Sequence, residues 1–476
     1  MSNCMPLLIL AALCPTVEPA VQTTRVRNPN DERPNIVFML SDDQAWNGLS
    51  VAMHPDLESS KGAGLRTPNL ERLASQGLRF SAAYAPAPVC SPTRISIQTG
   101  KNPARLHWTK AAPPVAGMKL VEPRLIKNIP PQESTIAELL RTAGYATAHF
   151  GKWHLGGGGP GEHGYDAHDG DTGNEQAYKF KDPNPVDIFG MAERAEQFMA
   201  RSIRAGKPFF VQLSWNALHA SENARRATLE RYRREWNGQN EKAIARAAMT
   251  EELDDGVGRV LSAVDRLGAA ENTYVIYTSD NGAGGGSKRG ALRGGKGGVW
   301  EGGIRVPLIV RGPGVAPGSW CHVRVVGYDW LPTFCEWARV PHDQLPSHLD
   351  GGSLVNLLAR GGGSVNRDRT TLLFHFPHYQ GPDGPHTAVI SGDWKLFRFY
   401  EDDRLELYDL ANDVSERQNL AAKMPQKAAE LRRELEAQLT ALDAQSPTLN
   451  SEFTGDGQAK PSKRGGKNRG TSKSQD

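Results

Sequence analysis

A cysteine and an arginine in the segment C-S-P-T-R could together carry out nucleophilic chemistry. Cys90 is followed by Pro92 and then by Arg94. Proline is favoured in the first turn of a helix, so Cys90 is predicted to lie at a helix N-terminus, where backbone N–H groups favour an anion. Arg94 adds a positive charge on the same helix face. The residue types alone predict an activated cysteine, as in a cysteine hydrolase or phosphatase.

Residues 90–100 resemble the signature of the type I sulfatases, C-x-P-S-R-x-x-x-x-T-G. Thr93 stands where that family has serine, and Lys101 stands where arginine is common. In this family the cysteine is oxidised to formylglycine before folding is complete. The resemblance therefore implies a formylglycine derived from Cys90, and a formylglycine-generating enzyme as a partner during maturation. It also implies that Arg94 belongs to the catalytic machinery.

Two further segments are similar to sulfatase motifs. The segment F-G-K-W-H-L-G contains the family's G-K-W-H-L-G motif, which implies that Lys152 holds the sulfate and that His154 contacts the formylglycine hydrate. Residues 293–307 resemble R-G-G-K-G-x-x-W-E-G-G-x-R-V-P, in which Lys296 would bind sulfate. His219 stands in the place of the family's leaving-group histidine, although Ala-Ser follows it where the family usually has proline.

Acidic pairs follow two predicted strands and indicate a metal site. Asp42 and Asp43 follow the first strand, and Asp280 and Asn281 follow a later one. Hard oxygen ligands without a histidine or cysteine set favour Ca²⁺, with Mg²⁺ as the second choice. From the residues alone, the two aspartates that begin these pairs could equally cap helices. The S-D-D and S-D-N-G patterns resemble sulfatase metal-binding loops, and this resemblance implies a metal site that includes residue 90.

Strand-like and helix-like segments alternate through most of the chain. The pattern predicts an α/β fold, with a large, mainly parallel sheet covered by helices on both faces. Ligands of such sheets bind beyond the carboxyl ends of the strands, where the polar residues above fall. The resemblance implies an alkaline-phosphatase-like fold. The predicted strands are 35–40, 146–150, 208–214, 273–279 and 306–310, and the predicted helices are 69–76, 135–142, 191–204 and 249–267.

The composition changes after about residue 345. Short apolar runs and a charged helix at about 425–442 predict a smaller C-terminal antiparallel sheet packed with one helix. We expect a signal segment at residues 1–20, a catalytic domain at 34–345, a C-terminal subdomain at 370–445 and a disordered basic tail at 454–476. The apolar run near the N-terminus is too short for a stable membrane span and predicts export to the periplasm or the extracellular space.

Histidines and cysteines in the second half of the chain leave alternatives open. His375, His378 and His386 could contact a sugar at the pocket mouth, or they could be surface-loop histidines. Cys321 and Cys335 could form a disulfide in an exported protein, or remain two buried thiols.

The interspersed charges, with a net charge of only +3, imply no nucleic-acid partner. The resemblance covers residues 34 to about 442 and implies a sulfatase that hydrolyses sulfate monoesters, with a sulfated small molecule or glycan as substrate. Three alternatives remain: a phosphonate or phosphate monoester hydrolase on the same fold, a two-zinc phosphatase relative, and a glycan-binding protein without turnover. The zinc alternative is disfavoured, because the chain lacks the Asp and His ligand sets that it needs.

Overall fold

The computed structural model describes residue 1 and residues 33–175, 179, 182–283 and 291–455. The predicted signal segment, apart from residue 1, and residues 456–476 of the predicted basic tail lie outside this part of the chain. No helix within these ranges has both the length and the apolar character that crossing a bilayer requires.

The strands and helices are numbered here in chain order. The strands are β1 Asn35–Ser41, β2 Leu78–Phe80, β3 Ala83–Tyr84, β4 Leu120–Val121, β5 Ala146–Gly151, β6 Ala167–His168, β7 Phe209–Ser214, β8 Thr273–Ser279, β9 Leu308–Arg311, β10 Ser319–Cys321, β11 Val325–Val326, β12 Leu372–Phe376, β13 His386–Ser391, β14 Trp394–Phe399, β15 Leu405–Asp409 and β16 Thr448–Leu449. The helices are α1 Pro68–Ser75, α2 Cys90–Thr99, α3 Ile136–Thr142, α4 Ile188–Arg204, α5 Arg226–Glu235, α6 Glu241–Arg266, α7 Glu301–Ile304, α8 Trp330–Ala338, α9 Val355–Arg360 and α10 Pro425–Ala441.

The principal sheet has eight strands in the order β10-β2-β9-β8-β1-β7-β5-β6. All of its pairings are parallel except those of β9, which runs antiparallel to both β2 and β8. Alternate residues of β1 serve opposite faces: Val37 and Met39 pack in one cluster with α4 and α6, while Ile36 and Phe38 pack in another with α3 and α8. Helices therefore cover both faces, which confirms the predicted architecture.

Four central strands lie side by side and run in the same direction. β8, β1, β7 and β5 are consecutive in the sheet, and each pairing between them is parallel. Their carboxyl ends therefore lie along one edge, and the loops that follow them converge there.

The second sheet is antiparallel, with the order β12-β13-β14-β15. One face packs on α10, where Leu396 meets Leu431 and Leu435 in a shared apolar cluster. The other face packs on residues between β8 and β9 of the eight-stranded sheet, among them Trp300. The predicted antiparallel sheet with one helix is confirmed, whereas the proposed boundaries at residues 345 and 370 stay predictions.

Helix α6 begins eight residues before its predicted start at residue 249. The Asn240 side chain accepts a hydrogen bond from the N–H of Ala243 (2.8 Å), and Ile244 packs against Tyr232 of α5. This contact with an unpredicted, arginine-rich helix extends α6.

The two cysteines that could have been bridged, Cys321 and Cys335, are both buried free thiols.

Candidate active site

Cys90 is the first residue of α2, as the sequence predicts. Val89 precedes it in an extended conformation, and Gly100 ends the helix with φ 68°. All ten residues of this helix are buried. The Thr93 hydroxyl donates to the carbonyl of Ala87 (3.0 Å), so the residue that departs from the sulfatase signature ties the helix to the loop before it.

The Cys90 thiol lies between a cation and a carboxylate. Its Sγ is 3.3 Å from Nζ of Lys296 and 3.5 Å from Oδ1 of Asp42. Burial, followed by the negative charge of Asp42, raises the pKa of Cys90 to about 12 despite the nearby lysines. The thiol is therefore protonated at neutral pH. This corrects the prediction from residue types alone: burial outweighs the helix N-terminus, and the unmodified cysteine is not an activated nucleophile.

Three cations surround this position, two of them buried and the third, Lys296, partly buried. Arg94 donates from Nε (3.0 Å) and Nη2 (2.7 Å) to Oδ2 of Asp280, and from Nη1 to the carbonyl of Lys152 (2.6 Å). The Lys152 ammonium pairs with Oδ2 of Asp42. Lys296 contacts both oxygens of Asp43, at 2.7 and 2.9 Å. Burial lowers the pKa of each cation, but the adjacent anionic groups raise it further, so all three stay charged.

The acidic residues form a compact cluster with an open ligand atom. One ligand atom from each of Asp42, Asp43, Cys90 and Asp280 lies within 4.8 Å of all the others. Asn281 donates from Nδ2 to Oδ1 of Asp43 (2.7 Å), yet its own buried Oδ1 has no partner among the described residues. A buried carbonyl oxygen without a donor beside three carboxylates fits a hard divalent cation.

The backbone joins the strand ends that carry these groups. The N–H of Asp280 donates to the carbonyl of Ser41 (3.0 Å), and the N–H of Lys152 donates to that of Ser214 (2.7 Å). The glycine-rich segment at residues 293–307 lies directly against the loop after β8, since a Cβ at Gly282 would lie only 1.9 Å from the carbonyl oxygen of Gly302. Glycine at this position lets the Lys296 loop pack directly on the loop after β8.

His154 has a left-handed backbone, with φ 60°. Ser91 donates to its carbonyl (2.9 Å), which ties the start of α2 to the segment after β5. Burial, then the charges of Lys152 and Arg94, lower the pKa of His154 to about 3. Its buried Nδ1 has no hydrogen-bond partner in the described part of the chain. The ring is therefore neutral and has a nitrogen available to accept a proton.

His219 lies in the loop after β7 and is partly exposed. The loop is held to the end of β1, because the N–H of Leu218 donates to the carbonyl of Asp42 (2.6 Å). Burial, the largest influence, raises the pKa of Asp42. The positive charges around it, which include a protonated His219, lower that pKa below its usual range. The structure therefore places His219 beside the cluster, at its solvent side.

Comparisons with known proteins agree with this geometry. A sequence profile described as Sulfatase matches residues 34–340, and one described as N-sulphoglucosamine sulphohydrolase, C-terminal, matches residues 295–445. The chain belongs to the sulfatase family. It is 29% identical to a sulfatase of Formosa agariphila over 86% of this chain and 88% of that protein. It is 31% identical to arylsulfatase A of Homo sapiens over 77% of this chain and 75% of the relative.

A crystal structure of Ps i-CgsB in complex with k-i-k-neocarrahexaose superposes with a TM-score of 0.72, at 24% identity over 89% of this chain and 96% of that one. This similarity shows the fold. Family membership makes the protein a sulfuric ester hydrolase.

The structure corrects two predicted sugar contacts of this sulfatase. His375 is buried, with Nδ1 on the hydroxyl of Thr387 (2.6 Å) and Nε2 on the carbonyl of Gln445 (2.9 Å). His378 is likewise buried, between Thr109 and Glu122. Both nitrogens of each ring are occupied within the protein, so neither ring is available to a sugar.

The third histidine of that region, His386, is also buried. Its Nε2 accepts from the N–H of Val299 (3.0 Å) and its Nδ1 lies 2.7 Å from the carbonyl of Gly384. It is therefore neither a surface-loop residue nor a free sugar contact.

Sequence reasoning missed one residue at the edge of the site. Arg246 of α6 donates to the main-chain carbonyl of Asp43 and lies 3.2 Å from Glu222, three residues after His219. It therefore connects the loop after β1 with the loop after β7. Arg246 is one of three arginines of α6, and only the tertiary contact distinguishes it from the other two.

Proposed function

We propose that this sulfatase hydrolyses sulfate monoesters of carbohydrates to an alcohol and inorganic sulfate, with a formylglycine derived from Cys90 and a divalent metal. The carbohydrate assignment is supported by the match of residues 295–445 to the N-sulphoglucosamine sulphohydrolase profile. It is also supported by the similarity in fold to a protein crystallised with an oligosaccharide.

The sulfate ester would be held by charges that are already in place. A sulfate group next to residue 90 would meet the ammonium groups of Lys296 and Lys152, which stabilise charge as it develops on the sulfate oxygens. Arg94 would act on the sulfate indirectly, because its N–H donors bond to Asp280 and to the carbonyl of Lys152. It fixes the metal-ligand side chain and the segment after β5 in one arrangement.

Asp42, Asp43, Asp280 and Asn281 would hold the metal, together with residue 90. Ca²⁺ is the first choice for this oxygen-rich set, and Mg²⁺ is the second. The hydrated formylglycine would supply the nucleophilic hydroxyl, and the cation would lower the pKa of that hydroxyl and neutralise charge on the sulfate. A formylglycine-generating enzyme is then a required partner in maturation.

Two histidines would move the protons. His154, neutral and with Nδ1 unpartnered, accepts a proton from residue 90 after its conversion. His219, at the solvent side, donates a proton to the leaving oxygen, where a bound substrate would emerge from the cluster.

The observation that carries this proposal is the contact of the buried Cys90 Sγ with the ammonium group of Lys296 (3.3 Å) and with the Asp42 carboxylate (3.5 Å). The test is mass analysis of the peptide that contains residue 90, together with turnover of 4-nitrophenyl sulfate by wild type and by Cys90→Ala. We expect the mass and the aldehyde reactivity of formylglycine, and loss of turnover in the variant. Cys335→Ala, at a buried thiol of α8, is the matched control. A Cys90→Ala protein with wild-type turnover would contradict the proposal.

The phosphonate and phosphate alternatives are separated in the same assay. Turnover of 4-nitrophenyl phosphate or of a phenylphosphonate ester at the rate of the sulfate would make the enzyme a broader esterase. Export to the periplasm or the extracellular space is proposed from the apolar run near the N-terminus. The N-terminal mass of the mature protein recovered outside the cytoplasm tests it.

A further inference from the structure

A large cavity opens beside the candidate active site. Its volume is about 840 Å³, and the residues that line it include Ser91 and His154. Pockets of about 300–1,000 Å³ are the size that binds small ligands in proteins. The cavity is therefore continuous with the catalytic position and has room for more than the sulfate group.

Two of its lining residues are cations that have no partner among the described residues. Arg124 and Lys127 both line the cavity and are exposed. Neither makes a hydrogen bond or an ion pair with any residue in the described ranges, whereas Lys110, which also lines the cavity, is neutralised by Glu122 at 2.8 Å. Unpaired guanidinium and ammonium groups in a concave site are suited to binding an anion.

The loop that carries these cations is held by buried contacts. Glu122 accepts from Lys110 and from the N–H of Val115 (3.0 Å), and it also pairs with His378 (2.8 Å). A buried carboxylate bound by several donors fixes the surrounding backbone. The cavity wall is therefore formed before a ligand arrives, and His378 supports it from behind.

We propose that Arg124 and Lys127 bind a second anionic group, a carboxylate or another sulfate, of a glycan whose scissile ester lies at residue 90. This inference rests on the proposed function. Two carboxylates, Asp171 and Glu175, also line the cavity, so its charges nearly balance. The attraction is therefore local to the cationic pair, while the carboxylates accept hydrogen bonds from sugar hydroxyls. The preferred substrate is a sulfated sugar that carries at least one further negative charge.

The kinetic test compares substrates that differ in their second charge. The probes are 4-nitrophenyl sulfate, a disulfated disaccharide, and a monosulfated disaccharide that contains a uronic acid. In Arg124→Gln/Lys127→Gln we expect KM for at least one disaccharide to rise about tenfold, with kcat within twofold of wild type. KM for 4-nitrophenyl sulfate should change less than twofold. Arg204→Gln/Lys207→Gln, two exposed cations outside the cavity lining, is the matched control for net charge.

The two disaccharides identify the anion that the pair binds. A selective rise for the disulfated sugar assigns the second sulfate, and one for the uronic acid assigns the carboxylate. Equal effects on all three probes, no effect on any, or no wild-type preference for either disaccharide over 4-nitrophenyl sulfate overturns the inference.

Binding separates this inference from the proposed function. Calorimetric titration of the Cys90→Ala protein with each disaccharide measures the dissociation constant without turnover. We expect about tenfold weaker binding when the two glutamine substitutions are added. If wild type hydrolyses no sulfate ester but this difference persists, the proposed function fails and the anion site stands. If hydrolysis occurs and the dissociation constants agree within twofold, only the anion site fails.

Discussion

Two buried charge clusters of this molecule differ in what they leave open. The first is the site cluster of Asp42, Asp43, Asp280, Asn281, Cys90, Arg94, Lys152 and Lys296. The second, here the hinge cluster, consists of Glu301, Arg305, Lys395 and Glu416, and joins α7 to the C-terminal sheet. In the hinge cluster each carboxylate oxygen lies within 3 Å of a cation or a main-chain N–H, although Glu416 Oε1 meets Lys395 as an ion pair without hydrogen-bond geometry. In the site cluster Asn281 Oδ1 has no partner among the described residues.

The two clusters bury their charged groups with different results. Two cations and two carboxylates balance in the hinge cluster, which resembles a structural ion-pair network. The site cluster is also rich in both signs of charge, but it retains an open oxygen, an un-ionised thiol and the neighbouring neutral His154. Buried groups without partners are costly to the fold, so their concentration at one sheet edge indicates a ligand site.

Removing a cation from the site cluster should reduce the rate far more than the stability. Lys296→Ala is expected to lower kcat for 4-nitrophenyl sulfate by about 10²–10³-fold, because a charge aimed at the reacting group is lost. The free energy of unfolding should change by less than about 1 kcal/mol, since Asp43 keeps its hydrogen bond from Asn281. Initial rates and urea unfolding measure the two effects, with the exposed Lys207→Ala as control. A large loss of stability with an unchanged rate would mean that Lys296 serves the fold and not catalysis.

Removing a cation from the hinge cluster should do the opposite. Lys395→Met leaves Glu301 and Glu416 without their shared ammonium, and the free energy of unfolding is expected to fall by about 3–5 kcal/mol. kcat of the protein that remains folded should stay within a few-fold of wild type. Urea unfolding and the rate per folded molecule test this, and adding Glu416→Gln should restore part of the lost stability. A rate loss as large as that of Lys296→Ala would mean that the hinge cluster acts in catalysis.

The sequence predicted the core of the fold because a strand that is buried on both faces has a continuous run of apolar residues. The apolar run at residues 35–40 became β1, between two other parallel strands. The direction of β9 could not be predicted, because a short apolar run reads the same in either direction. The start of α6 was also missed, since it depends on a contact with α5.

The candidate site was predictable where residues follow parallel strands. Asp42, Lys152 and Asp280 meet because the strands before them belong to one block of four parallel strands, whose carboxyl ends lie together. The prediction was wrong for His375 and His378, because their partners lie 12 to 269 residues away and the pattern around a histidine does not reveal them.

Deleting the open ligand atom should weaken metal binding without disturbing the hinge cluster. Asn281→Ala removes Oδ1, and we expect the affinity for Ca²⁺ to fall about 10–100-fold, the size of effect seen when groups that tune a metal site are lost. Calorimetric titration of the metal-stripped protein measures it. Asn272→Ala, at the opposite end of β8 from Asn281, controls for loss of an amide. Unchanged Ca²⁺ affinity in Asn281→Ala would remove this residue from the ligand set.

The hinge cluster should also respond to pH. Burial, opposed by Lys395, raises the pKa of Glu416 to about 7 from its ordinary value of 4.5. Between these values the folded protein keeps a proton that the unfolded chain has released. Stability is therefore lost as the pH rises towards 7, by up to about 1.4 kcal/mol per pH unit.

Glu416→Gln has no such proton to lose, so its free energy of unfolding should improve relative to wild type between pH 5 and pH 7.5. The exposed Glu430→Gln should show no trend of this kind. Urea unfolding at both pH values measures the difference. A difference that does not vary with pH would mean that Glu416 is already ionised at pH 5, and that the two glutamates share their cations without a penalty.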